Sequence, residues 1–141
     1  MSKSIEIVRT QDENLVEQAL EIRKQVFVIE QNVPEEEEYD QFDKDAVHFI
    51  AYIEKNPAGT ARYRETAEGI KLERFAVLPD YRKNGIATAI LQEILQEVSN
   101  TGKNIYLHAQ LPVVKLYEKA GFQTVGEQFT EAGIEHFKMR M

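Results

Sequence analysis

No cysteine occurs anywhere in the 141 residues, which excludes disulfides, thiolate nucleophiles and thiolate metal sites. With only three histidines, scattered along the chain, no zinc or other metal site is expected. Basic charge is also scarce: 17 Lys and Arg stand against 24 Asp and Glu, a net charge of -7 with a sequence pI near 5.0. That balance argues against nucleic acid or an anionic membrane as a partner, since either would require a basic face. No run approaches the roughly 20 apolar residues of a membrane span. The opening Met1-Ser2-Lys3-Ser4-Ile5-Glu6 lacks the apolar core of a signal peptide, so a cytoplasmic location is expected.

Hydrophobic content of 43% and charged content of 29% are those of an ordinary globular protein. The length suits one domain spanning 1–141, able to bury roughly two thirds of its unfolded surface.

Ile5 to Arg9 alternates as a first strand, and Asn14 is the expected cap of a helix carrying Leu15, Ala19, Ile22 and Val26 that ends near Phe27. Between Pro34 and Asp43 lie six carboxylates and no base, which reads as a solvated loop. Ala46 to Glu54 and Ala58 to Arg64 form a hairpin candidate around Lys55-Asn56-Pro57. Ile70 to Val77 is a further strand, stopped by Pro79. From Ile86 the apolar positions Ile90, Leu91, Ile94, Leu95 and Val98 recur at helical spacing, with Gly102 as the stop. Asn104 to Ala109 is a strand, and Pro112 opens a short helix that Gly121 ends. Phe122 to Val125 and Ile134 to Met139 close the chain. This order predicts an α/β (α+β) fold, a mixed sheet of about six to seven strands with helices on both faces and a parallel strand-helix-strand unit at its centre.

Arg82, Lys83, Asn84, Gly85, Ile86 and Ala87 lie where a strand hands over to the long helix. Unpaired N–H groups and the positive end of the helix dipole meet there, so the junction suits a phosphate or pyrophosphate. Gly85 permits close backbone approach. Arg82 and Lys83 add charge, and small Ala87 leaves room for a bulky ligand. Neither the Walker pattern nor the dinucleotide fingerprint is present.

The pattern Arg-x-x-Gly-x-Ala after a strand resembles the pyrophosphate loop of the GNAT superfamily of acetyl-CoA-dependent N-acetyltransferases. Lys115-Leu116-Tyr117-Glu118-Lys119-Ala120-Gly121-Phe122 is similar to the stretch that follows the fifth strand in those enzymes, at the matching distance. Val26 to Pro34, Leu107-His108-Ala109-Gln110 and Ala132-Gly133-Ile134-x-His136 further resemble small bacterial GNAT proteins of the ElaA/YjcF type.

The resemblance implies a V-shaped cleft between the fourth and fifth strands. Acetyl-CoA would lie there as cosubstrate, its pyrophosphate on residues 82 to 87 and its pantetheine arm along Phe75, Ala76 and Val77. Val113 stands where many GNAT proteins have an asparagine that helps hold the cofactor. The implied reaction is direct transfer of acetyl to a primary amine of a small molecule or peptide, without a covalent enzyme intermediate. At pH 7 only about one in 2,500 molecules of an amine with a lysine-like pKa is neutral, so a base or a low-dielectric pocket is needed.

Tyr117 matches the family tyrosine near the coenzyme sulfur and is the candidate acid. It also falls on the apolar stripe of its helix, where a tyrosine can bury its ring and still present its hydroxyl. Glu73 is the candidate base, and alternation places it opposite Leu72 and Arg74. Its plainer reading is a solvated strand carboxylate. Glu30, Gln31, His108, Gln110 and His136 are candidates for the acceptor pocket, either histidine being an alternative base if it lies near the amine. The acidic run either attracts a cationic amine or is solvated surface. A non-catalytic acyl-CoA-binding or sensing module on the same fold is the alternative to an enzyme, and a homodimer is the family expectation.

Overall fold

The computed structural model describes residues 4–141, so the first three residues of the leaderless start expected above lie outside it. Seven strands form one sheet in the order β1-β2-β3-β4-β5-β7-β6. They are β1 (Ile5–Thr10), β2 (Val47–Ile53), β3 (Asn56–Thr66), β4 (Gly69–Val77), β5 (Ile105–Gln110), β6 (Gln123–Glu131) and β7 (Ile134–Arg140). Every neighbouring pair is antiparallel except β4 and β5, the predicted parallel unit. The mixed sheet with helices on both faces is therefore present as expected.

Helix α1 (Glu13–Arg23) covers one face, and α3 (Ile86–Val98) with α4 (Val114–Lys119) covers the other. On the α3 face Phe49, Leu72, Ile90, Leu91, Ile94 and Leu107 pack as the main core. On the α1 face Ala19, Ile22, Val26 and Phe27 meet Ile50 and Ala76. β2 is buried along nearly its whole length because both faces are covered, which is why it reads as an almost continuous apolar run. No helix among the described residues is long and apolar enough to cross a membrane.

Local chemistry accounts for several departures from the sequence reading. Asp12, not Asn14, caps α1: its carboxylate accepts from the N–H groups of Asn14 at 2.9 Å and Leu15 at 3.4 Å. The helix does not end near Phe27 but changes pitch at Lys24 and continues as a π-helix to Glu30. The β2–β3 turn is Glu54-Lys55, both left-handed, with φ of 49° and 70°, as a two-residue hairpin turn favours. Pro57 lies inside β3, opposite Tyr52, where the register shifts.

The acidic run is not simply solvated. Its first part forms the one-turn helix α2 (Glu35–Glu38), and Glu38, Asp40 and Asp43 turn inward onto arginines from the sheet and α1. Arg23, 1% exposed, bonds the Glu38 carboxylate, donates to the Glu38 carbonyl at 2.8 Å and reaches Asp43 at 2.5 Å. Arg62, fully buried, donates to Asp40 at 2.8 and 2.9 Å, to Asp43 at 2.5 Å and to Glu73 at 3.1 Å. Charges this deep persist only when paired and hydrogen-bonded. The carboxylates are counterions that fasten the loop onto the sheet.

Candidate active site

β4 and β5 pair only at Ile70–Ile105, Lys71–Tyr106 and Leu72–Leu107, then separate. The separation begins beside a bulge. Arg74 takes a left-handed φ of 60°, and the β3–β4 register shifts between Thr60 and Arg62. A bulge adds a residue to one strand, bends it and breaks its alternation. Leu72 faces the α3 core as expected, whereas Arg74 reaches Asp40 at 3.2 Å and so meets the same charge cluster as Glu73 instead of lying opposite it. Beyond the bulge Phe75 and Val77 return to the α3 side, where Phe75 packs edge-on against Tyr117 at 5.5 Å between centroids. The gap between the strands is a cleft of about 890 Å³, a volume suited to a large organic ligand.

One end of the cleft is the start of α3. Gly85 caps the helix in a left-handed conformation (φ 75°) with no side-chain hydrogen bond to the first turn, leaving backbone N–H groups available to an anion. Lys83 is also left-handed, with φ 67°. Arg82 is held by the protein itself: its Nε donates to the Val77 carbonyl at 2.9 Å, and its terminal nitrogens meet Glu30 at 2.6 and 2.7 Å. Arg82 thus ties the loop to β4 and to the end of the π-helix. Asn84 steadies the turn by donating to the carbonyls of Tyr81 and Arg82 at 2.9 and 3.2 Å. Beneath α3 lies Gly59, where an added Cβ would come within 2.9 Å of the Ile86 side chain and 3.1 Å of the Ala76 carbonyl. Only glycine lets the first turn of α3 settle this closely on β3 and β4.

The other end carries titratable side chains. Glu73 is buried and contacted by three cations: Arg64 Nε at 2.6 Å, Arg62 Nη2 at 3.1 Å and Lys71 Nζ at 3.2 Å. Burial alone would raise its pKa, but the Arg64 hydrogen bond and the charges of Arg62 and Lys71 outweigh burial and lower it. Across the opening, His108 Nδ1 lies 3.1 Å from Glu131 Oε1, and His136 Nε2 lies 3.8 Å from Glu131 Oε2. The His108 hydrogen bond holds Glu131 down to about 2. Gln110 donates to Gln31 at 3.0 Å. Tyr117 is 5% exposed, its hydroxyl makes no hydrogen bond to a described residue, and burial pushes its pKa upward.

A family described as the acetyltransferase (GNAT) domain matches residues 10–141. The chain belongs to the GNAT family. The Bacillus subtilis N-acetyltransferase YjcF, itself uncharacterized, is 34% identical over 134 residues, which cover 94% of this chain and 96% of that protein. The crystal structure of Escherichia coli ElaA superposes with a TM-score of 0.87 at 23% identity, covering 98% of this chain and 100% of the other. An aminoglycoside 6'-N-acetyltransferase complexed with coenzyme A superposes with a TM-score of 0.71 at 16% identity, covering 98% and 96%. These two superpositions establish the fold. As a GNAT member the protein is an acetyltransferase enzyme.

Within this GNAT protein most of the expected site residues share the one cleft. Phe75, Ala76, Val77, Arg82, Lys83, Gly85, Ile86 and Ala87 line it, as do Glu73, Tyr117, Gln31, His108, Gln110 and His136. Asn84 stands behind the loop and shapes it. Glu30, expected at the acceptor pocket, does not line the cleft and is held by Arg82. Val113 lines the cleft and is exposed at the start of α4. Two residues escape the sequence reading: Glu131, which touches both histidines, and Gly59. Glu131 stands next to the Ala132-Gly133 turn at the end of β6, a strand expected to stop at Val125, so nothing in the sequence marked it.

Proposed function

We propose that this acetyltransferase uses acetyl-CoA to acetylate a primary amine on a small molecule or peptide, by direct attack while both substrates are bound. One observation carries the reading: a single cleft has a helix N-terminus with no side-chain cap at one end and titratable side chains at the other. A cytoplasmic setting fits this reading.

The residues present suit the cofactor. The free amides of the α3 first turn, with Lys83 beside them, would receive the pyrophosphate, while Arg82, occupied by Glu30 and the Val77 carbonyl, fixes the shape of the loop. Past Leu72 the β4 edge that would face β5 has no strand partner, so Phe75, Ala76 and Val77 can pair with an amide-bearing arm as an added strand would. Val113 offers no polar group, which leaves binding to the loop and strand. When bound, the cofactor supplies a thioester, whose acyl carbon is open to a neutral amine and whose thiol leaves readily.

Tyr117 is the proposed donor of the sulfur's proton. Its raised pKa keeps Oη protonated at neutral pH, and its packing between Phe75 and Phe122, 5.5 and 6.1 Å away between centroids, fixes the ring. Glu73, expected as the base, is disfavoured for that part by its three cations.

Thermal unfolding with acetyl-CoA, CoA and ATP tests the cofactor assignment. At a hundredfold excess over Kd, acetyl-CoA and CoA should each add roughly 2.7 kcal/mol, a shift of several degrees. ATP should do less. Equal shifts with all three would reduce the site to a general phosphate cradle, and no shift with any of them would remove the assignment.

A further inference from the structure

We propose that His108, oriented by Glu131, accepts the proton of the incoming amine, a catalytic part for His108 and a positioning part for Glu131. The inference rests on the amine acetylation proposed above.

Leu72 and Leu107 form the last pair before β4 and β5 part, and both face the α3 core. Glu73 and His108 are the next residues along the two strands, and alternation turns both to the opposite face. They are the first side chains on either side of the opening. Glu73 has its oxygens occupied by Arg62, Arg64 and Lys71, so little basicity remains. His108 is differently placed. A carboxylate only accepts, so the 3.1 Å contact with Glu131 puts the ring hydrogen on Nδ1 and leaves the lone pair on Nε2. Nε2 bonds no described residue, and the side chain is 24% exposed on the cleft wall.

The ring is also held. Phe129 meets it edge-on at 5.1 Å between centroids, and Tyr106 lies at 6.3 Å with its hydroxyl 2.6 Å from Thr66 Oγ1. The charged and titratable groups around His108 are Lys71 and Glu73 from β4, Tyr106 from β5, Glu131 from β6, and His136 and Lys138 from β7; Lys138 is engaged by Glu68. His136 is the weaker alternative. It is buried, and its Nδ1 donates to the Ile134 carbonyl at 2.7 Å.

In the proposed step His108 Nε2 takes one proton from the ammonium and releases it to solvent. The amine lone pair then forms the C–N bond as the C–S bond breaks. Tyr117 Oη protonates the departing sulfur and is restored by the second proton that the nitrogen sheds. Ammonium and thioester become amide, thiol and one free proton.

The first test needs no cofactor. Long-range ¹H–¹⁵N correlation NMR on the free protein reads which imidazole nitrogen carries the hydrogen. Nδ1–H is expected for His108 in the wild type, with a shift toward Nε2–H in Glu131→Ala and retention of Nδ1–H in Glu131→Gln. The second test uses 1,4-diaminobutane, lysine amide and a glycine-initiated peptide as acceptors. His108→Gln should lower kcat by roughly 10²–10⁴-fold, leaving the Kd for CoA within about threefold. Glu131→Ala should lose about tenfold in kcat, with part recovered in Glu131→Gln. A wild-type Nε2–H tautomer overturns the proposal, and so does a His108→Gln enzyme within about threefold of wild type. Failure of CoA to stabilise the protein strikes the acetyl-CoA reading instead, and is seen separately from the tautomer.

Discussion

Replacing Arg62 with methionine separates charge from packing in the wall beneath the cleft. Methionine is long and apolar enough to fill much of the same space, but it abandons three carboxylates: Asp40, bonded at 2.8 and 2.9 Å, Asp43 at 2.5 Å and Glu73 at 3.1 Å. Each keeps another cation, namely Arg74, Arg23 and Arg64 respectively, so the cluster loses one shared charge and is not dismantled. Breaking a buried ion pair from one side costs about 3–5 kcal/mol. At roughly 2–4 °C for each kcal/mol, Tm should fall by about 6–20 °C. The pH dependence is the sharper test. Burial alone would raise Asp40, but the Arg62 hydrogen bonds and the charges of Arg62 and Arg74 lower it from an ordinary 3.8 to about 2. A folded-state pKa below the ordinary value stabilises the protein above that ordinary value, and the stabilisation is lost as pH falls through the folded value, here between about pH 4 and 2. The variant lacks most of this shift, so its stability deficit should shrink as pH falls. Urea unfolding at pH 7, 5 and 3 reads the difference. A deficit below about 1 kcal/mol, or one that is constant with pH, would refute the charge argument.

Tyr117→Phe should lower kcat by about tenfold or more while leaving the Kd for CoA within threefold and Tm nearly unchanged, since the hydroxyl bonds no described residue; steady-state rates beside a CoA titration decide it. Gly59→Ala places a methyl 2.9 Å from Ile86 and should cost about 1–3 kcal/mol as α3 is pushed outward, with CoA binding weakened in calorimetry; an unchanged Tm would mean that the first turn is not seated as described. A Cβ added at Gly85 meets nothing within 4 Å, so the penalty of Gly85→Val comes chiefly from the backbone at φ 75°, roughly 1–2 kcal/mol. Weaker CoA binding should accompany it, and unchanged affinity would count against the loop.

The long amphipathic run Ile86–Val98 reads directly as α3, and the strands fall within two residues of expectation, because hydrophobic period is a local property; the exception is β6, expected to stop at Val125, which runs on to Glu131 past a register shift. The loop ahead of α3 was legible for the same reason: its glycine, its basic residues and the helix that follows are contiguous. The charge cluster was not legible. Nothing near Arg23 or Arg62 in the chain marks either as buried, since their partners lie 15 to 20 and 11 to 22 residues away. The bulge at Arg74 was equally hidden, because alternation assumes an unbroken ladder and a left-handed arginine leaves no mark in the composition. Glu131 becomes a site residue only through the antiparallel return of β6 and β7, which brings it to histidines on two other strands.

The three-residue junction between β4 and β5 has a mechanical consequence. Strands β1 to β4 form one antiparallel ribbon and β5, β7 and β6 another, and inside the sheet only Ile70 to Leu72 against Ile105 to Leu107 stitch them together. Beyond that short seam the two ribbons are joined by side chains, through the core that Leu72 and Leu107 share with α3, and not by backbone hydrogen bonds. A ligand wedged along the open edge would act as a splint. Amide exchange in the distal halves of β4 and β5 should then slow together when the cleft fills, while exchange at the far edges β1 and β6 stays as it was.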